Sequence, residues 1–208
     1  ILEDYMKDLS PAVVKQAILS AGSSQAPCFI KTLLSFLPNK STRSAARKAL
    51  ARYEPAELLP ILEDVSRAPE TKTDLLIQLP ALAETMETQQ AVDYLFALVQ
   101  QEDPIVKMEA LESLHKIKAR FPHLTIGWKR LIPVITGDID LYKDTLVLSY
   151  TAQHSLERYK DDQKISLAMN ELIELLERRR NNMLEHIFWV IGLAYPPNVI
   201  LPLYKELQ

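Results

Sequence analysis

A basic residue followed by small or aliphatic residues three and then six or seven places on recurs through the first half of this chain. It reads Lys15, Ile18, Ala21; then Arg43, Ala46, Ala49, Leu50; then Lys72, Leu75, Leu79; then Lys107, Ala110, Leu114. A recurrence of roughly 30 residues is the period of stacked helical pairs. Each pair has an apolar face that only its neighbours can cover, so the stack is extended and leaves a long surface. Such an architecture is expected to hold other molecules rather than to transform them.

Helical spacing of apolar residues runs almost throughout, and no stretch alternates as a strand would. The spacing predicts helices over about 2–9, from Pro11 to Gly22–Ser24, and over Phe29–Leu37. It predicts another with Ala45, Ala46, Ala49 and Leu50 on its inner face, capped by Ser41 or Thr42. Leu58 to Val65 continue the pattern. A helix over about 70–86 contains Pro80, which should end or kink it. Helices over about 88–101 and from Asp103-Pro104 to Phe121-Pro122 follow. Beyond about residue 122 the period fails, and two longer helical tracts are expected, Gly127–Arg158 and Lys164–Leu193, with Pro133 and Gly137 as candidate breaks. The tract 122–208 is expected to cap the repeats of residues 10–120, so that 1–208 forms one all-α domain, an α-α superhelix closed by longer helices.

Composition narrows the function classes. Only 4 of 208 residues are glycine, and the 13 prolines sit mostly where helices would start or stop. The net charge of −3 comes with both signs spread over both halves, whereas a nucleic-acid binder normally concentrates basic residues. The single cysteine, Cys28, excludes an internal disulfide; its neighbours Phe29 and Ile30 suggest a buried small hydrophobe. The uncharged run from Ile187 to Tyr204 is broken by Pro196, Pro197 and Pro202, so it is expected to form a buried helix, a break and a short second helix rather than a membrane span. The chain begins at Ile1 without methionine, so it is expected to be an excised piece of a larger protein or a trimmed one.

The unit Asp103, Val106, Lys107, Ala110, Leu114 resembles the HEAT-repeat family, with Lys107 where the family pattern carries arginine. Arg43, Ala46, Ala49 and Leu50 form the second match. The resemblance implies a solenoid. Glu177, Arg178, Asn181, Ile187-Phe188, Ile191-Gly192-Leu193 and Tyr195-Pro196-Pro197 are similar to the end of cytoplasmic HEAT-like domains attached to bacterial nucleotide (ATP/ADP) transporter-type membrane proteins. That likeness implies a cytoplasmic module beside membrane helices, with a cyclic-nucleotide-binding domain as a further neighbour.

No catalytic, metal or cofactor site is expected. His115, His123, His154 and His186 lack metal-ligand spacing and read as structural. Asp138, Asp140 and Asp144 lack the remaining ligands of a calcium loop and read as acidic residues at a helix start. Arg178, Arg179 and Arg180 are adjacent on a helix and so point in different directions; they are the candidate interaction residues, otherwise a solvated face paired with Glu174 and its neighbours. Trp128 and Trp189 lie in apolar tracts, where core packing is the default and exposure would mark a binding hot spot.

The leading expectation is therefore a non-catalytic scaffold whose partner is another protein or a neighbouring domain of the same chain. The alternative is a HEAT-like DNA-binding protein or DNA glycosylase, which would gather Lys15, Arg43, Lys72 and Lys107 opposite an acidic residue and a tryptophan. A third reading, a lyase or chaperone for a pigment or cofactor, would need an open apolar groove.

Overall fold

The computed structural model describes residues 2–159, 162–195 and 206. Among these, all regular structure is helical. The chain divides into two compact units, Ile1–Thr125 and Ile126–Gln208, with the boundary close to where the repeated phrase stops.

The first unit opens with a single turn, α1 (Leu2–Tyr5), shorter than the spacing predicts. Then comes α2 (Pro11–Ser24), started by Ser10 in an extended conformation and Pro11 at its first position. It ends at Gln25, whose φ of 51° is left-handed, and the Gln25 side-chain amide donates to the carbonyl of Arg52 at 2.5 Å. A 3-10 turn, Pro27–Phe29, leads into α3 (Ile30–Ser35). Next is α4 (Arg43–Leu50), which buries Ala45, Ala46, Ala49 and Leu50 as its spacing requires. Thr42 precedes it, yet its hydroxyl donates to the Phe36 carbonyl instead of capping the helix.

Small residues set the distance between α2 and α4. Ala17, Ala21, Ala46 and Ala49 are buried, and a Cβ added to Gly22 would lie 2.5 Å from both Cα and Cβ of Ala49. Glycine is therefore required here by the approach of a neighbouring backbone, not by its own dihedral angles.

The unit continues with α5 (Pro55–Arg67), α6 (Thr73–Leu76), α7 (Pro80–Ala83), α8 (Gln89–Val99) and α9 (Pro104–Arg120). The single helix expected over about 70–86 is two one-turn pieces. Pro80 cannot donate to the preceding turn, so it opens α7 instead of continuing α6. The starts of α8 and α9 are capped as their sequences suggest. Thr88 accepts from the Ala91 amide, and Asp103 accepts from the amides of Ile105 and Val106. Asp103→Ala should cost about 1 kcal/mol, measurable by denaturant unfolding.

The polar contacts that join these helices share one range of separations. Tyr53 donates to Ala26 O, Arg47 to Gln78, Thr73 to Asp103, Ser113 to Glu84, Gln101 to Ser66 O and Gln89 to Thr125 O; these pairs lie 27 to 36 residues apart. Each turn of structure is thus tied to the next one along the chain. Ala110 is fully buried within this arrangement. Ala110→Asp should cost more than about 3 kcal/mol, because it would bury an unpaired carboxylate; thermal unfolding unchanged from wild type would reject this face as core.

The second unit holds two long helices, α10 (Trp128–Arg158) and α11 (Gln163–Gly192). Neither Pro133 nor Gly137 breaks α10, contrary to expectation. Leu131, Ile135, Asp138, Tyr142, Thr145, Ser149, Ala152 and Leu156 are buried or half-buried and alternate by four and three residues. Met169, Ile173, Leu176, Arg180, Met183, Ile187 and Val190 do the same along α11. The alternation is a heptad seam, and a strong periodic contact carries a helix past one proline and one glycine. Asp138 meets His186 and Thr145 meets Met183, so the helices run antiparallel. Asp162 starts α11 by accepting from the amides of Lys164 and Ile165. The short helix expected after Pro197 lies outside the described residues.

Candidate functional site

In the first unit the recurring basic residues have separate tasks. Lys15 and Lys72 are exposed, and Lys107 is half-buried. Arg43 donates through Nε to Leu37 O and through Nη2 to Pro38 O, both at 2.8 Å, closing the loop before its own helix. Both tryptophans belong to the second unit, so no tryptophan faces these residues within the first. One polar cluster joins α7 to α9. Glu84 accepts from the Ser113 hydroxyl at 3.0 Å and lies 3.4 Å from Lys116 Nζ. Lys116 is held protonated above its usual range, first by its hydrogen bond to Glu112 and less by Glu84. Through Glu84, Lys116 links α7 to α9. Cys28 is exposed rather than buried: it sits in the 3-10 turn, two residues before the chain turns inward at Ile30.

The second unit gathers more of the sequence's candidates. Asp138, Asp140 and Asp144 do not mark a helix start; they lie in the middle of unbroken α10. Asp138 Oδ2 is 2.5 Å from His186 Nδ1, with side chains only 13% and 9% exposed. Asp140 pairs with Lys143 at 3.0 Å, and Asp144 is exposed. The Nε2 of His186 is buried and hydrogen-bonded to nothing among the described residues. An Asp–His pair orients an imidazole for proton transfer only where a reacting group can reach the other nitrogen. Here that nitrogen is shut in, so the pair serves the packing of the hairpin. No group of three or more His, Cys, Asp or Glu side chains positioned to hold a metal occurs among the described residues.

The three adjacent arginines diverge. Arg178 pairs with Glu174 at 3.3 Å on the surface, Arg179 is exposed, and Arg180 turns into the seam. His123 lies 3.5 Å from Glu87 on the surface of the first unit, and His154 is exposed on α10.

What distinguishes the hairpin is apolar surface. Leu146, Val147, Leu148 and Tyr150 occupy more than one turn of α10 and all face solvent, Val147 66% and Tyr150 72% exposed. Ile132, Ile139 and Leu146 form an exposed row at seven-residue intervals. Ile165, Leu167, Leu172 and Leu175 are exposed on α11. Trp128 is 45% exposed and stacks edge-to-face on Tyr195, ring centroids 5.9 Å apart, so it does not follow the core-packing expectation. The first unit leaves far fewer large apolar side chains in solvent, notably Tyr5, Leu9 and Ile105. Scattered exposed leucines are ordinary; a contiguous apolar tract on a helix marks a contact surface. Among the described residues no helix is long and apolar enough to cross a membrane.

Compared with known proteins, the chain matches no family model, no curated protein and no solved structure. The surface is therefore read from its own residues.

Proposed function

We propose that this chain is a non-catalytic helical scaffold that binds a protein partner, or a neighbouring domain of the same polypeptide, through its C-terminal hairpin. The observation that carries the reading is the exposed apolar set Ile139, Leu146, Val147 and Tyr150, which lie on one side of α10. Covering such residues removes apolar surface from water at about 25 cal/mol per Å², and tyrosine supplies area with little loss of rotamer freedom. The contacts at 27 to 36 residues within the first unit support a HEAT-like stack there. The wider setting we propose is the cytoplasmic side of a larger membrane protein of the nucleotide-transporter type. It rests on the likeness of residues 177–197 alone.

The reading is tested by placing a photo-crosslinking side chain at Tyr150 in the native cell, with a second at Lys15 as control. A discrete protein adduct from position 150, lost when Val147→Glu is added, is expected. Adducts to nucleic acid, or protein adducts from position 15 alone, would contradict it.

A further inference from the structure

A different side of α10 carries a self-complementary pattern. Arg130, Val134, Gly137, Leu141, Asp144 and Leu148 recur by four and three residues and so share one face of the helix. All except half-buried Val134 are exposed. A Cβ added to Gly137 would meet nothing within 4 Å, so the backbone there is open to close approach. Arg130 and Asp144 stand seven residues before and seven after that glycine.

We infer that this face is where a second copy of the chain docks, α10 against α10, antiparallel and related by a two-fold axis at Gly137. A two-fold contact brings the same patch of both copies together, so residue i meets j and j meets i. In this register Gly137 meets Gly137 of the second copy. Val134 and Leu141 of each copy lie opposite Leu141 and Val134 of the other, and Arg130 and Asp144 face Asp144 and Arg130. Two ion pairs thus close the ends of a small apolar crossing. An unrelated partner would have no reason to need opposite charges equidistant from a glycine; a second copy does. Arg130 also has an interaction within its own chain, and its five N–H donors leave capacity for another. Leu148 belongs to this face, whereas Leu146, Val147 and Tyr150 lie on other sides of α10 and stay open to the partner proposed above.

Sedimentation equilibrium of the whole chain at low salt over a wide concentration range tests the inference. Wild type should be a monomer–dimer system. Arg130→Asp and Asp144→Arg, each placing like charges in opposition, should each weaken dimerisation roughly tenfold or more. The double reversal should restore it. Gly137→Leu should abolish the dimer while circular dichroism keeps its helical signal, because leucine is the better helix former. A wild type that stays monomeric at every concentration would overturn the inference. So would a dimer indifferent to the single reversals, which would assign self-association to another face, or a double reversal that restores nothing.

Discussion

Gly22→Ala should lower the unfolding free energy of the Ile1–Thr125 unit by about 1–3 kcal/mol, although alanine favours a helix by about 1 kcal/mol over glycine. The added methyl carbon would stand 2.5 Å from the backbone of Ala49, and a backbone atom cannot swing away as the end of a flexible side chain can. Either α2 and α4 move apart, opening gaps around Ala21 and Ala46, or the helices absorb the strain. Gly137→Ala provides the opposite sign. It too is a helical glycine, but its added Cβ meets nothing within 4 Å, so the propensity gain should survive as about 0.5–1 kcal/mol of added stability. Thermal unfolding of both variants, at concentrations where the chain is monomeric, decides the matter. Two changes of the same sign would reject the close approach of α2 to α4.

Asp138→Ala and His186→Ala should each cost the hairpin about 3–5 kcal/mol. The pair is largely buried, so removing either member strands the other polar group away from water. The double variant Asp138→Ala with His186→Ala should lose far less than the two single losses added together, since no stranded group remains. The difference is the coupling that a double-mutant cycle measures. Among the described residues the buried Nε2 of His186 meets no partner, and replacing the pair by apolar side chains removes that group as well. Additive losses across the cycle would show that Asp138 and His186 do not act on each other.

How far the sequence foretold this molecule depends on which interaction decides each element. Helices α2, α8 and α9 were legible because local signals agree there, and α4 and α5 by apolar spacing, although Thr42 does not cap α4 and Pro60 lies inside α5. Pro11, Pro55 and Pro104 stand at first helical positions, Thr88 and Asp103 cap, and the apolar spacing buries Leu58, Leu62, Val106 and Leu114 as it should. The tract around Pro80 was harder: apolar spacing argued for continuity, but the missing amide argued for a stop, and the stop prevailed. In α10 the same conflict resolved the other way. Pro133 and Gly137 are local signals for a break, and a seam of eight heptad positions overrode them.

That resolution also hid the Asp138–His186 pair. Read as a helix start, Asp138 is one of three solvated acids; read as a heptad position in an unbroken helix, it must face α11. Counting fours and threes from Leu131 would have placed it there. Trp128 and the run from Leu146 to Tyr150 were opaque for another reason. Apolar residues on a helix declare a buried face only if a neighbour covers it, and hydrophobicity alone does not say which face finds one.

The central claim is that this chain acts by binding through the hairpin, and the native mass of its assembly tests that most directly. The product should be isolated under native conditions from cells expressing either wild type or the double variant Val147→Glu, Tyr150→Glu, with circular dichroism confirming that both are folded. The account predicts that wild type is recovered with a second protein in fixed proportion that the variant loses, or, where the partner is a domain of the same polypeptide, that the hairpin resists limited proteolysis in wild type and is cut in the variant. Identical composition, mass and proteolytic protection for the two forms would contradict it.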